Sequence, residues 1–401
     1  MDISGINYIS KSDIKNKVIL LRADLNLPII NGKVIDTLRL ERILATIRFL
    51  ITKNCKVVLI SHLGRPGGQK NLDYSLSKIL ETLKSNLNIL NIKFSNECIG
   101  DNALETINFT KFGELCLLEN LRFYKEEELN DQNFAEKLAR VGDIYVNDAF
   151  SCCHRNHASI VGIPKYLPSF AGIGLEKEIK NINEILEKPR RPLMVIIGGS
   201  KISTKLNTLN NIVKKAEVVA IGGAMANTFL AAKNIEIGGS LYEKNMKSNT
   251  IEILRTAEDN NCDVILPFDF LTSNNIKSGS KAQEFDIDKI PKDKMIFDIG
   301  KKSTSNIINK LRLCNSVVWN GPLGAFEYSP FDLSTNKISN EIAKLTLENK
   351  INSLAGGGDT VAALSKAKNS KNFSYLSTAG GAFLEWLEGK ELPGISVLKN
   401  N

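Results

Sequence analysis

Short apolar runs alternate with helix-length segments along the whole chain, and that alternation leaves few architectures open. Val18 to Leu21, Val57 to Ile60, Leu115 to Leu118 and Ile144 to Val146 are four such runs in the first half. Met194 to Ile197, Val218 to Ile221, Val264 to Leu266, Met295 to Ile299 and Val317 to Trp319 continue the series in the second. Runs that are apolar at consecutive positions suit strands buried on both faces, as in parallel sheets. Between the first two, Thr37 to Ile51 places Leu40, Ile43, Leu44, Ile47 and Leu50 on one helical face, with Asp36 as N-cap. Ser203 to Lys215 and Ala226 to Lys233 read as helices of the second half. The expected fold is α/β: two doubly wound, Rossmann-like parallel-sheet domains joined by a hinge and a connecting helix. A chain of 401 residues is long enough to give each domain its own core. Glu176 to Glu187 reads as the polar connecting helix, stopped by Lys188-Pro189-Arg190-Arg191-Pro192 because proline cannot continue a helix.

The turns after these runs differ between the halves. In such sheets ligands bind beyond the carboxyl ends of strands, so these turns are where function is expected. In the first half they carry arginine and histidine. Arg22-Ala23-Asp24-Leu25-Asn26 comes after the first run; Asp24 and Asn26 suit a hydroxylated ligand and equally well ordinary turn chemistry. Ser61-His62-Leu63-Gly64-Arg65-Pro66 presents His62 and Arg65, and Phe150 to His157 presents Arg155. His154 and His157 read as structural, while Arg39, in the first helix, fits either a ligand contact or a surface ion pair. Nine of the twelve arginines lie in residues 1–190. Arginine forms planar bidentate pairs with carboxylate and phosphate, so the bias points to a small-anion site.

In the second half the turns carry glycine: Gly198-Gly199-Ser200-Lys201, Gly222-Gly223-Ala224, Gly321-Pro322-Leu323-Gly324, Gly356-Gly357-Gly358-Asp359-Thr360 and Gly380-Gly381. Neither GxGxxG after a strand nor GxxxxGK[ST] occurs. Glycine turns that open helices still let backbone N–H groups approach a phosphate. Asp359 stands where a magnesium ion bridging phosphates needs an oxygen ligand. Two phosphorylated ligands, one on each half, are the expected partners.

Other classes fit poorly. The net charge of +8 is spread over both halves, which argues against a nucleic-acid arm or a polybasic membrane patch. No apolar run approaches a bilayer-spanning length, and Met1-Asp2-Ile3-Ser4 lacks the regions of a signal peptide, so a cytoplasmic location is expected. Seven scattered cysteines without a CxxC pair suggest neither a disulfide framework nor a zinc site.

Eight segments together resemble the phosphoglycerate kinase family. They are Arg22 to Pro28, Ser61 to Pro66, Leu118-Glu119-Asn120-Leu121-Arg122-Phe123, His154 to Ser159, Gly198 to Lys201, Trp319-Asn320-Gly321-Pro322, Gly356 to Thr360 and Leu384 to Gly389. The likeness runs from roughly residue 15 to 395 in matching order and spacing. It implies a monomeric glycolytic enzyme that reversibly transfers a phosphoryl group between 1,3-bisphosphoglycerate and ADP, giving 3-phosphoglycerate and ATP. It implies that Asp24, Asn26, Arg39, His62, Arg65, Arg122 and Arg155 bind 3-phosphoglycerate. Lys205, Gly222, Gly223, Asn320, Glu327, Gly357, Gly358, Asp359 and Thr360 would bind the nucleotide, with Asp359 holding Mg2+. Arg39, Lys201, Gly380 and Gly381 would meet the transferring group. The expected domains are 1–175 with a C-terminal segment of about 388–401, a connecting helix and hinge over 176–192, and 193–387.

Two departures stand out. Ser377-Thr378-Ala379-Gly380-Gly381 has alanine where many members have a third glycine, which matters only if that position needs a positive φ. Ser151-Cys152-Cys153 also departs from the usual small residues. The resemblance explains why no general base is evident: the acceptor is a carboxylate, ionised at neutral pH. Domain closure is the expected route to reacting distance. The alternatives are a dinucleotide-dependent oxidoreductase, against which the missing GxGxxG weighs, and a non-catalytic phosphate- or nucleic-acid-binding protein.

Overall fold

A computed structural model describes residues 2–277, 279 and 281–399. The chain divides into two compact units. One comprises Asp2–Lys180 with the C-terminal segment from Glu391; the other is Asn181–Lys390.

The first unit is built on six parallel strands: β1 (Val18–Ala23), β2 (Lys56–Ile60), β3 (Lys93–Phe94), β4 (Leu115–Leu117), β5 (Ile144–Asp148) and β6 (Ser169–Ala171). Their order is β3-β4-β2-β1-β5-β6. Leu20 of β1 is in register with Val58 on one side and Tyr145 on the other. Almost every residue of β1, β2 and β5 is buried, which is why these runs are apolar without alternation. The helix Leu38–Thr52 buries Leu40, Ile43, Leu44, Ile47 and Leu50 in a core shared with Ile19, Leu21, Val57 and Leu59. Its N-cap position is Thr37 rather than Asp36; Asp36 acts from one residue further out, accepting from Leu38 N at 2.8 Å. The chain winds from β1 to β2 on one side and reaches β5 on the other, so the sheet reverses direction beside β1.

Asp148, at the carboxyl end of β5, holds the start of the helix Ile173–Ile182. It accepts from Leu175 N and from Thr46 Oγ1, each at 2.6 Å, while Thr46 Oγ1 accepts from Ile173 N at 2.9 Å. Two bonds return the C-terminal segment to this unit: Asn7 N to Leu398 O at 2.9 Å and Asn147 Nδ2 to Gly394 O at 3.2 Å.

The second unit repeats the plan with β7 (Leu193–Ile197), β8 (Val218–Ile221), β9 (Asp263–Ile265), β13 (Ser316–Asn320), β14 (Asn352–Gly356) and β15 (Tyr375–Ser377). They are parallel, in the order β9-β8-β7-β13-β14-β15. A side sheet of β10 (Asp269–Ser273), β11 (Gln283–Asp286) and β12 (Met295–Ile299) is antiparallel, in the order β11-β10-β12. The run Met295 to Ile299, expected as one more strand of the main series, belongs to this side sheet. Three of its five residues are only half-buried, as suits an antiparallel strand with one solvated face. Among the described residues no helix is long and apolar enough to cross a membrane.

Candidate active site

The carboxyl ends of β1, β2, β4 and β5 carry the arginine-rich turns of the first unit. Asp24, just past β1, is buried. It accepts from Ser151 Oγ at 2.5 Å and Asn26 N at 3.1 Å, and lies 3.4 Å from Arg39 Nη1. Arg39, near the start of the helix Leu38–Thr52, also donates to the Asn26 carbonyl oxygen at 3.1 Å. Asn26 Oδ1 accepts from Gly64 N at 2.8 Å, which ties the turn after β1 to the turn after β2. Arg122 Nη1 donates to Gly64 O at 2.8 Å, and its Nε lies 3.2 Å from Glu128 Oε1 without hydrogen-bond geometry. Asn120 shapes this corner: its Oδ1 accepts from Leu63 N and Arg122 N, and its Nδ2 donates to Leu63 O and Tyr74 O.

The acceptors here are therefore largely consumed by local donors, while several cations remain available. Arg65 and Arg155 are exposed, and neither makes an ion pair among the described residues. Burial lowers the pKa of Arg122, with Arg22 and Arg155 among the contributing charges. Burial, then Arg22, Arg122, Arg39 and His157, hold His62 well below its ordinary range, so the ring is neutral. Burial and nearby arginines push His157 down to about 3, and burial with Arg155 pushes His154 down to about 4. A donor-rich, acceptor-poor corner of this kind suits an anion.

In the second unit the glycine turns after β7, β8, β13 and β14 are laced by backbone. Gly198 N donates to Asn320 O at 3.1 Å, Gly223 N to Leu323 O at 2.8 Å and Met225 N to Gly199 O at 3.0 Å. Gly321 N donates to Thr360 Oγ1 at 2.7 Å, and Asn320 Nδ2 to Gly356 O at 2.8 Å; Asn320 Oδ1 is buried without a partner. Two glycines are required by this packing. Gly321 has φ +98°, and a Cβ there would overlap the Gly198 carbonyl oxygen. Gly223 has φ +66° and would bring a Cβ to 2.5 Å from Gly199 O. Lys205 Nζ donates to Gly198 O at 2.7 Å and Asn320 O at 3.1 Å; burial lowers its pKa to about 8, against the pull of Asp359.

A cavity of about 330 Å3 opens beside these turns, lined by Gly199, Gly223, Leu241, Phe297, Pro322 and Glu327 among others. Its mainly apolar walls suit a planar base. Asp298 also lines it; burial raises its carboxyl to about 7 despite bonds from Ser334 N at 3.0 Å and Ile299 N at 2.9 Å. Asp359 is an exposed carboxylate in the first turn of the helix Gly358–Lys366. Among the described residues no three His, Cys, Asp or Glu side chains gather as a metal cage. A single exposed carboxylate fits Mg2+, which usually takes one or two carboxylates and completes its shell with phosphates and water. Glu327 and Lys201 are also exposed. Gly380 caps the helix Gly381–Leu387, and Ala379 lies outside the positive-φ region, its N donating to Ser377 Oγ at 3.3 Å.

The sequence-predicted acid residues thus gather at one end of the first sheet, and the nucleotide residues at one end of the second. Sequence reasoning misses Arg22, Ser159, Glu127 and Asn120 as parts of the site. Arg22 reads from sequence as the first residue of a turn, yet it lies inside β1, 1% exposed. An arginine within an apolar strand run is the available signal, since such a charge must be paired inside the protein.

A family model described as phosphoglycerate kinase matches residues 9–390. A phosphoglycerate kinase of Brucella melitensis is 46% identical over 388 residues, covering 97% of this chain and 98% of that protein. One from Rhizobium meliloti is 46% identical with 97% of each covered. The solved structure of phosphoglycerate kinase from Coxiella burnetii has a TM-score of 0.89 at 35% identity, covering 98% of both chains. That from Pyrococcus horikoshii has a TM-score of 0.83 at 29% identity, again covering 98% of both.

Proposed function

This chain belongs to the phosphoglycerate kinase family, and from that premise we propose that its first unit holds the acid substrate and its second the nucleotide. As a member it is a phosphotransferase with a carboxyl acceptor, transferring a phosphoryl group reversibly between 1,3-bisphosphoglycerate and ADP in glycolysis. Neither an oxidoreductase nor a non-catalytic phosphate-binding protein is favoured by that membership.

One observation carries the division. At the strand ends of the first unit Asp24 and Asn26 spend their acceptors on local donors, while Arg65 and Arg155 have no ion-pair partner among the described residues. In the proposal, Asp24, Asn26, Arg39, His62, Arg65, Arg122 and Arg155 bind 3-phosphoglycerate. The nucleotide base enters the cavity beside Gly222 and Gly223, with Glu327 at its rim. Lys205, Asn320 and the turn Gly357 to Thr360 take the phosphates, and Asp359 holds Mg2+. The ion would screen phosphate charge; the chain's own part is to orient the acid and supply donors. Arg39 and Lys201 meet the transferring group, and the N–H groups of Gly380 and Gly381 stabilise its oxygens.

The acid substrate's carboxylate is ionised at neutral pH and needs no general base. Catalysis then rests on positioning and on stabilising charge at the equatorial phosphoryl oxygens. Ligands held by different units must approach to roughly 3–3.5 Å, so closure about the hinge belongs to the proposal. Solution scattering tests it: no compaction with both ligands bound refutes closure. The protein is proposed to be a cytoplasmic monomer. A coupled assay with 3-phosphoglycerate and magnesium-ATP tests the whole reading, and an inactive wild-type protein overturns it.

A further inference from the structure

Behind the acid site lies a charge that does not reach the surface. Every nitrogen of the Arg22 guanidinium is engaged within the fold. Nε donates to Ser159 Oγ at 2.9 Å and Nη1 to Ala23 O; Nη2 meets His62 Nδ1 at 3.1 Å, with Cys152 Sγ 3.6 Å away. A guanidinium has donors and no acceptor, so in the bond between Arg22 and His62 the ring nitrogen accepts. Nδ1 then keeps its lone pair, and the single proton of the neutral ring sits on Nε2. The arginine is itself fixed from behind. Ser159 Oγ, which accepts from Arg22 Nε, donates to Glu127 Oε1 at 2.6 Å, and Ser159 N donates to Glu127 Oε2 at 2.9 Å. Glu127 is fully buried. No hydrogen bond from the described residues engages His62 Nε2.

We propose that Arg22 is a positioning residue, held by Ser159 and Glu127, that locks His62 in the Nε2–H tautomer so that the ring meets the acid substrate as a neutral donor. The proposal rests on the reading of His62 as a substrate contact. It makes His62 one more donor in a corner of donors, unable to serve as a base. Protonation would have to occur at Nδ1, the atom that faces Arg22. Arg22 from β1, Arg122 from the turn after β4, Arg39 from the helix Leu38–Thr52 and His157 are the groups that act on the ring. The nearby carboxylates turn to other partners: Asp24 accepts from Ser151 and lies beside Arg39, and Glu127 accepts from Ser159.

Long-range 1H–15N correlation on the full-length protein with 15N-labelled histidine reads the tautomer directly. The chain has three histidines, so His154→Gln and His157→Gln complete the assignment. Without substrate, His62 should show the Nε2–H form at pH 7 and stay neutral as pH is lowered through the ordinary histidine range. An Nδ1–H ring, or an imidazolium at pH 7, overturns the proposal. Adding 3-phosphoglycerate should move the Nε2 resonance and leave the tautomer unchanged. The expected tautomer with no shift on binding upholds the lock and removes His62 from the substrate contacts, so the two readings fail separately. Ser159→Ala keeps the Arg22 charge and loosens its orientation. Mixed tautomers should appear, and KM for 3-phosphoglycerate should rise about tenfold with kcat changed less than about threefold. A folded Ser159→Ala protein with the wild-type tautomer and KM overturns the part given to Ser159 and Glu127.

Discussion

Lys205 and Asn320 are joined across the point where the second sheet reverses. The Lys205 ammonium, beyond β7, donates to the Asn320 carbonyl oxygen at the end of β13 at 3.1 Å, and to Gly198 O at 2.7 Å. One cation thereby pins two neighbouring strand ends at the position where such sheets bind ligands.

Burial lowers the Lys205 pKa to about 8, so in the free protein its charge is lost as pH rises through that value. A bound phosphate favours the charged form and so raises the pKa in the complex. Affinity for ADP should therefore fall with rising pH, approaching about tenfold per unit above pH 8, when monitored by calorimetric titration between pH 7 and 9.5. Lys205→Met should bind weakly and show a much shallower profile. Wild-type affinity that stays level across this range would count against Lys205 as a phosphate contact.

Gly321 and Gly358 offer opposite outcomes from the same substitution. At Gly321, φ is +98° and an added Cβ would meet the Gly198 carbonyl and come within 2.7 Å of Lys205 Nζ. Gly321→Ala should cost about 2–4 kcal/mol in stability and displace the Lys205 ammonium, weakening nucleotide binding. Gly358 opens a helix, has no positive φ and has nothing within 4 Å of a Cβ. Gly358→Ala should remain within about 1 kcal/mol of wild type in denaturant unfolding. Equal stability of the two variants would show that the turn after β13 yields without strain.

The strands around the two reversals were legible because both faces of each are buried, which leaves an unbroken apolar run such as Val57 to Ile60. The residues just beyond those runs were legible as well, and Asp24, His62 and Arg122 do gather at one sheet end. β14 and β15 were missed: Asn352–Gly356 contains no β-branched residue, and Tyr375–Ser377 is three residues long. The side sheet was invisible because its antiparallel pairing depends on strands that single-segment patterns cannot register. Nor could local pattern reveal that Asn147 meets Gly394, or that Arg22 turns inward to Ser159 and His62. Such bonds depend on which distant segments the fold brings together. Ala379 was an open question of backbone angle, and its φ, outside the positive region, leaves alanine unstrained there.

Asp298 gives the second unit a distinct pH dependence. Its carboxyl ordinarily titrates at 3.8 and here at about 7, because burial penalises the charge. Between those values the folded chain binds more protons than the unfolded one. The stability contributed by the protonated carboxyl is complete below about pH 3.8 and is lost as pH rises through 7. Asp298→Asn cannot titrate, so the difference between wild type and variant should shift in favour of Asn from pH 5 to pH 8. Both tryptophans, Trp319 and Trp386, lie in the second unit, so their fluorescence reports its unfolding in the intact chain. A wild-type minus variant difference that is constant with pH would show that Asp298 stays ionised throughout.

Arg39 is the residue for which the structural and catalytic readings diverge most. Its side chain is 32% exposed, and its guanidinium lies 3.4 Å from Asp24 Oδ2 and donates to Asn26 O. As a partly solvated ion pair it contributes about 1 kcal/mol or less to stability, so Arg39→Ala should fold like wild type. If Arg39 instead stabilises charge on the transferring phosphoryl group, its removal should lower kcat by about 100-fold or more. The apparent KM for 3-phosphoglycerate should change less than about tenfold, because the interaction is strongest in the transition state. Arg39→Lys keeps the charge but loses the planar fork, and should recover only part of the loss. Steady-state kinetics on all three proteins separate the readings. Turnover unaltered in Arg39→Ala would assign Arg39 to holding Asp24 and the Asn26 turn, leaving the phosphoryl group to Lys201 and the second unit's N–H donors.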